Sequence, residues 1–322
     1  VMIISTPINT HAALAEQSMR AGSHVYLEKP PVESLTSFTH LVSVAEELRR
    51  SVQVGFQAAG SEVLPRIRHL MASGAIGRVE LITAVGCWSR DRAYYDRSPW
   101  AGRRRMGDVV VADGVVTNPL AHSVAAALQL AQTELITDLH AVTTELYRAH
   151  DIESDDTSWI GIESSGVPVS CALTVASGSD DPPLVTVYGE RGSLTFDYRS
   201  DILTTTIDGA TTTETLGRID TVENVLDHLT SGVPLLSPLA RTGAFMCVLQ
   251  AIQEAPPPTP IDGAYVTWRG TGVDAYPMIN NIHALVAGAT RRPDGGPGAG
   301  YLAAGAPWAT ADARTRWQPL RD

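Results

Sequence analysis

Apolar residues in the opening part of the chain fall into two alternating patterns. Val1-Met2-Ile3-Ile4 and Val25-Tyr26-Leu27 are short continuous runs, as in strands buried on both faces. Between them, residues 10–21 carry apolar side chains at helical spacing and meet Gly22, a good helix stop. From 34 to 50, Leu35, Phe38, Leu41, Val42, Ala45 and Leu48 share one helical face, while Glu46, Glu47, Arg49 and Arg50 turn toward water. Residues 51–56 return as a strand. This alternation predicts the closing part of a doubly wound sheet of Rossmann type, over residues 1–60.

Beyond residue 60 the rhythm changes. A helix is predicted over 61–73, a strand over 78–88 and a helical apolar stretch over 120–130. Short β-rich runs follow at 159–163, 167–175, 184–188, 193–198 and 203–207. Turn residues such as Ser164-Ser165-Gly166, Asp180-Asp181-Pro182-Pro183 and Asp208-Gly209 separate them. Helices resume at 222–229 and 239–254, and Pro256-Pro257-Pro258 ends the series. The expectation is an α+β domain with a largely antiparallel open sheet over 61–290, for substrate binding and oligomerisation. A Gly/Pro-rich, irregular tail is expected over 291–322.

Composition narrows the function classes. With 322 residues, 44% hydrophobic and 18% charged, the chain can bury a sizeable core and suits two domains. A formal charge of -11 and the lack of a basic stripe argue against nucleic acid as a partner. The cluster Arg103-Arg104-Arg105 reads as a solvated or ion-paired patch ahead of a phosphate site. Cys87, Cys171 and Cys247 are odd in number and widely spaced, which supports neither a disulfide framework nor a zinc site. No apolar run has membrane-spanning length, so a cytoplasmic protein with no membrane partner is expected.

Polar residues at strand ends add chemistry. Glu28-Lys29-Pro30 closes a buried run, placing a carboxylate and an amine where open α/β sheets hold ligands. Such an amine can donate a hydrogen bond to a developing negative charge, or act as a base if burial lowers its pKa. Asn118 and His122 are spaced i, i+4 at the start of a helical stretch, so both can face one cleft. Gln57, beyond a strand, is either a ligand contact or an ordinary polar terminus. Trp88, Tyr94, Tyr95 and Trp100 stand among Asp91, Asp96 and Arg97, an arrangement that suits a sugar ring or the packing of a loop. Trp100 is the candidate substrate contact among them. HExxH, clustered Cys/His ligands and GxSxG are absent, so no metal is expected.

Ser5-Thr6-Pro7 with His11, Glu28-Lys29-Pro30, Val54-Gly55-Phe56-Gln57 and Asn118-Pro119-Leu120-Ala121-His122 together resemble the Gfo/Idh/MocA oxidoreductases. The resemblance continues through Tyr188-Gly189-Glu190-Arg191-Gly192-Ser193-Leu194, Pro234-Leu235-Leu236-Ser237-Pro238 and Gly305-Ala306-Pro307-Trp308. It implies an NAD(P)-dependent oxidoreductase interconverting a secondary alcohol and a ketone on a sugar, cyclitol or related polyol. Lys29 and His122 would handle the proton, with Asn118 where the family commonly has aspartate, and all three would meet substrate. Thr6, Pro7, His11, Glu28, Lys29 and Gln57 would lie against NAD or NADP. A homo-oligomer would form through the antiparallel sheet.

Two departures accompany the resemblance. An amide at 118 can neither accept a proton nor raise a neighbouring imidazole's pKa through charge. The family's Gly-rich turn and the acidic residue about 20 positions later have no counterpart in the chain. It opens at what resembles the fourth strand, so on the order of 60 residues would lie outside it. The alternative expectation is a noncatalytic truncated relative lacking a functional dinucleotide site.

Overall fold

The structure, a computed structural model, describes residues 1–290 and 302–319. Strands Met2–Ile4, Val25–Leu27 and Val52–Val54 form a parallel sheet in that order, with Ile4, Leu27 and Val54 in register at its carboxyl edge. Helices His11–Arg20 and Leu35–Glu47 connect them. The second helix begins where the Ser34 hydroxyl accepts the Ser37 amide at 3.2 Å, and it buries Phe38, Leu41 and Val44. Within these 322 residues Ile4 is buried, whereas Met2 is 46% and Ile3 56% exposed.

A ten-stranded mixed sheet, largely antiparallel, follows the helix Val63–Ala72. Val79–Cys87 lies at its middle, antiparallel to Leu184–Gly189 and parallel to Val169–Thr174. Gly192–Asp197, Ile202–Ile207 and Ala210–Thr215 extend one wing, and Thr157–Ser164 and Leu139–Arg148 the other. One sheet face packs on Ala121–Leu130 and Gly243–Glu254, around Val124, Phe245, Val185, Val187, Leu194 and Phe196. Over the opposite face lies Ile282–Ala289, with Leu302, Ala306 and Trp308. There the buried Trp159 indole donates to Ser170 Oγ at 2.9 Å and Ala289 O at 3.1 Å.

Several strands were not foreseen. Leu139–Arg148 buries residues on both faces and therefore lacks alternation. Ala210–Thr215 is a polar edge, and its Thr213 continues a cross-strand row of Thr186, Thr195 and Thr204. Arg314–Trp317 lies in the stretch expected to be irregular, yet it pairs antiparallel with Leu139–Arg148. Polar contacts hold it: Arg314 to the buried Glu145 at 2.8 Å, Arg316 to Glu163 at 2.8 Å, and the Trp317 indole to Glu254 at 2.8 Å. The same stretch holds a short helix at Leu302–Gly305, and 291–301 and 320–322 lie outside the described residues.

The arginine cluster resolves into a helix cap. Arg104 donates to Ile252, Gln253 and Ala255 carbonyls at 2.7 Å and to Pro256 O at 3.0 Å, satisfying the carboxyl end of Gly243–Glu254. Arg104→Ala is expected to cost about 1 kcal/mol, whereas Arg103→Ala, at an exposed position, should stay within about 0.5 kcal/mol. Urea unfolding of the two variants checks the contrast. All three cysteines are free and buried, which pushes each thiol up to about 12. Among the described residues, no helix is long and apolar enough to cross a membrane.

Candidate active site

At the carboxyl edge of the parallel sheet lies a cleft of about 270 Å³. Thr6, Pro7, His11, Glu28, Lys29, Trp100, Asp113 and Asn118 line it, together with the apolar Ile8, Val111 and Ala112. His11, on the first turn of its helix, holds the two loops of the sheet edge together. Its Nε2 lies 2.8 Å from Thr6 O, and its Nδ1 lies 3.0 Å from Pro30 O and 3.2 Å from Pro31 O. The Lys29–Pro30 peptide is cis. Gly55 closes the back of Glu28: a Cβ there would stand 3.1 Å from both Glu28 Oε2 and Tyr26 OH.

Lys29 is the only lysine in the sequence, every other basic chain being arginine or histidine. Its ammonium donates to Asn118 Oδ1 at 2.7 Å and Asn118 O at 3.0 Å, so one of its three protons is left for the cleft. Burial lowers its pKa; the Glu28 and Asp113 carboxylates oppose that shift and Arg97 adds to it. Burial also raises the Glu28 carboxyl, against the pull of Lys29 and His11. Trp100 sits at the cleft wall with the Arg97 guanidinium 4.9 Å from its ring centre.

His122 and Gln57 lie elsewhere. With Ala58, Tyr198, Arg199 and Arg218 they line a separate, shallow cavity of about 220 Å³. The His122 ring meets Phe56 edge-on at 6.0 Å and Tyr198 at 5.9 Å, and its Nδ1 is shielded and unpartnered. Burial, then the positive charges of Lys29 and Arg218, push its pKa down to about 3. Gln57 is exposed and starts a short 3-10 turn, three residues beyond its strand end.

Asp113 was missed. It is 5% exposed, and its Oδ1 accepts from Asn118 Nδ2 at 2.5 Å while Oδ2 accepts from the Gly102 amide at 2.7 Å. The only signal for it in the sequence was an acidic residue within the turn ahead of Asn118. Gly114 makes that turn possible, because a Cβ there would overlap Asp155 Oδ1 at 2.0 Å.

A parallel sheet with ligand-lining loops at its carboxyl edge, joined to an α+β unit that supplies the cleft's other wall, is the build of a two-part Rossmann-type oxidoreductase. Residues 1–56 match the family model described as "Oxidoreductase family, NAD-binding Rossmann fold", and 65–195 match the GFO/IDH/MocA C-terminal domain. The chain belongs to the Gfo/Idh/MocA oxidoreductase family.

It is 29% identical over 136 residues to 1-carboxy-3-chloro-3,4-dihydroxycyclohexa-1,5-diene dehydrogenase of Comamonas testosteroni, which covers 42% of this chain and 32% of that protein. It is 31% identical over 90 residues to inositol 2-dehydrogenase of Rhizobium meliloti, covering 28% of this chain and 26% of that one. The matched stretches thus span about a third or less of these curated relatives. An oxidoreductase from Agrobacterium radiobacter, solved with NAD+, L-tartaric acid and magnesium, superposes with a TM-score of 0.64 at 17% identity, covering 78% of this chain and 76% of that one. At that identity the likeness speaks for the fold.

Proposed function

We propose that the protein is an NAD(P)-dependent oxidoreductase that interconverts a secondary alcohol and a ketone on a sugar, cyclitol or related polyol, with Lys29 as the group that moves the proton. The observation that carries this reading is the buried Lys29 ammonium, held by two acceptors with its third proton free, at the carboxyl edge of the parallel sheet. The cleft's donor set suits a nicotinamide riboside: Glu28 offers a carboxylate to ribose hydroxyls, and Pro7, Ile8, Val111 and Ala112 offer an apolar wall to a flat ring. A bound NAD or NADP would supply the hydride acceptor.

The chain's own residues supply the rest. In its neutral amine form, favoured because burial lowers its pKa, Lys29 accepts the proton of the substrate hydroxyl as the carbonyl forms, and as the ammonium it returns that proton in the reverse direction. Trp100 gives the ring an apolar face. His122, neutral at ordinary pH because of its lowered pKa and lining the other cavity with Gln57, does not store the proton. The named relatives acting on a cyclohexadiene diol and on inositol support a cyclic polyol as the substrate class. The threonine-rich face of 184–215 is the surface proposed for a second copy, which sedimentation of the purified protein would test.

The test of the activity is reduction of NAD+ or NADP+ by protein isolated from its source, against a panel of cyclitols, aldoses and their acids. Reduced nicotinamide fluorescence with at least one member is the expected result. Absence of dinucleotide binding by calorimetry would sink the reading and leave the noncatalytic one.

A further inference from the structure

We infer that Asp113 is a positioning residue for Lys29, supplying through the side-chain amide of Asn118 the negative charge against which the ammonium is held. The inference rests on the reading of Lys29 as the proton-handling group and assigns what tunes it. Lysine only donates and an ionised carboxylate only accepts. The amide between them therefore has one orientation that satisfies both, with Oδ1 toward Lys29 and Nδ2 toward Asp113, and that is the one observed. The resulting line, ammonium to amide to carboxylate, is partly buried and ends on the buried Asp113, where such hydrogen bonds polarise one another.

The same geometry explains why an amide stands at 118. A carboxylate there would face Asp113 within 2.5 Å, and two carboxylates at that distance cannot both ionise. Asn118 is thus the bridge to an acid placed five residues earlier. The bridge is rigidly built: the Asn118 amide returns to Gly114 O at 3.0 Å, Val115 N to Asp155 O at 3.0 Å, and Thr117 Oγ1 accepts from Gly114 N at 3.0 Å. The charges that bear on Lys29 are Glu28 and Asp113, which favour its charged form, and Arg97, which disfavours it; Lys29 in turn acts on His122. Of the two carboxylates, Asp113 is the one joined to Lys29 by an unbroken line of hydrogen bonds.

In protein labelled with 15N-lysine, the side-chain ammonium signal that disappears in Lys29→Met is assigned to Lys29, the single lysine of these 322 residues, and its titration is followed. Asp113→Asn is expected to move that titration down by about one pH unit. The exchange variant Asp113→Asn/Asn118→Asp, which keeps one carboxylate and one amide in the line, is expected to return it to or above the parent value. An unshifted Lys29 in folded Asp113→Asn would overturn the inference. If that variant does not fold, Asp113→Ser, which removes the same charge with a smaller polar side chain, is titrated in its place: a downward shift supports the role and no shift overturns it. No dinucleotide or substrate enters this measurement. Absent dehydrogenase turnover beside the expected Lys29 shifts would therefore count against the proposed activity only.

Discussion

Lys29→Ala is expected to lower kcat/KM for the polyol by about 10²–10⁴-fold, the range for loss of a positioned acid–base group, with little change in melting temperature. The chemistry localises the effect. A secondary alcohol cannot release hydride unless its proton has somewhere to go, and among the described residues lining the cleft Lys29 is the group with a lowered pKa and a free proton position. Lys29→Arg should not restore the rate, since a guanidinium keeps the charge but does not give up its proton. Stability should survive, because burying an ammonium is costly and Asn118 keeps its bond to Asp113 in the variant. The parent's rate of alcohol oxidation should rise with pH as Lys29 deprotonates, with a limb below the ordinary lysine value of about 10.4 because burial lowers it. That limb should vanish in Lys29→Ala. Steady-state kinetics across pH, with circular dichroism of both variants, makes the check. Near-parent turnover in Lys29→Ala would remove Lys29 from the mechanism.

The elements that position Lys29 were legible because their signals are local. Leu35, Phe38 and Leu41 recur at helical spacing, and Val25-Tyr26-Leu27 is too short and too apolar to be other than a buried strand. The relation of Asn118 to His122 was not legible. Spacing of i, i+4 aligns two residues only when both are in the helix, and the helix starts at Ala121, leaving Asn118 in the turn before it. The two side chains accordingly face different cavities, Asn118 the cleft with Lys29 and His122 the pocket with Gln57. Asp113 escaped for a related reason: its meaning depends on a lysine far away in sequence, and nothing local marks it. The strand at 314–317 is held by Arg314 and Arg316 pairing with carboxylates on other strands, a long-range stabilisation that no period reveals. Hydrophobic pattern thus fixed the scaffold, while the polar contacts that complete the cleft had to be seen in space.

His122 should leave a mark on stability as well as on chemistry. Its pKa in the fold is about 3, against about 6.5 in an unfolded chain, so between those values the unfolded state holds a proton that the folded state refuses. The stability that this group contributes is therefore complete above pH 6.5 and is lost as pH falls toward 3. The slope approaches about 1.36 kcal/mol per pH unit, which amounts to up to about 2 kcal/mol at pH 5. His122→Gln removes the titration while keeping a polar side chain, so its stability should fall less steeply on acidification. Other groups titrate in both proteins, and the informative quantity is the difference between the two curves. Urea unfolding of each at a series of pH values from 7 down to 4.5 gives it. Parallel curves would mean that the imidazole protonates freely in the fold. The second contribution to its low pKa, the charge on Lys29, supplies an internal control: in Lys29→Met the His122-dependent loss should begin at the same pH but end at a higher one, because the folded-state pKa rises when the neighbouring ammonium is gone.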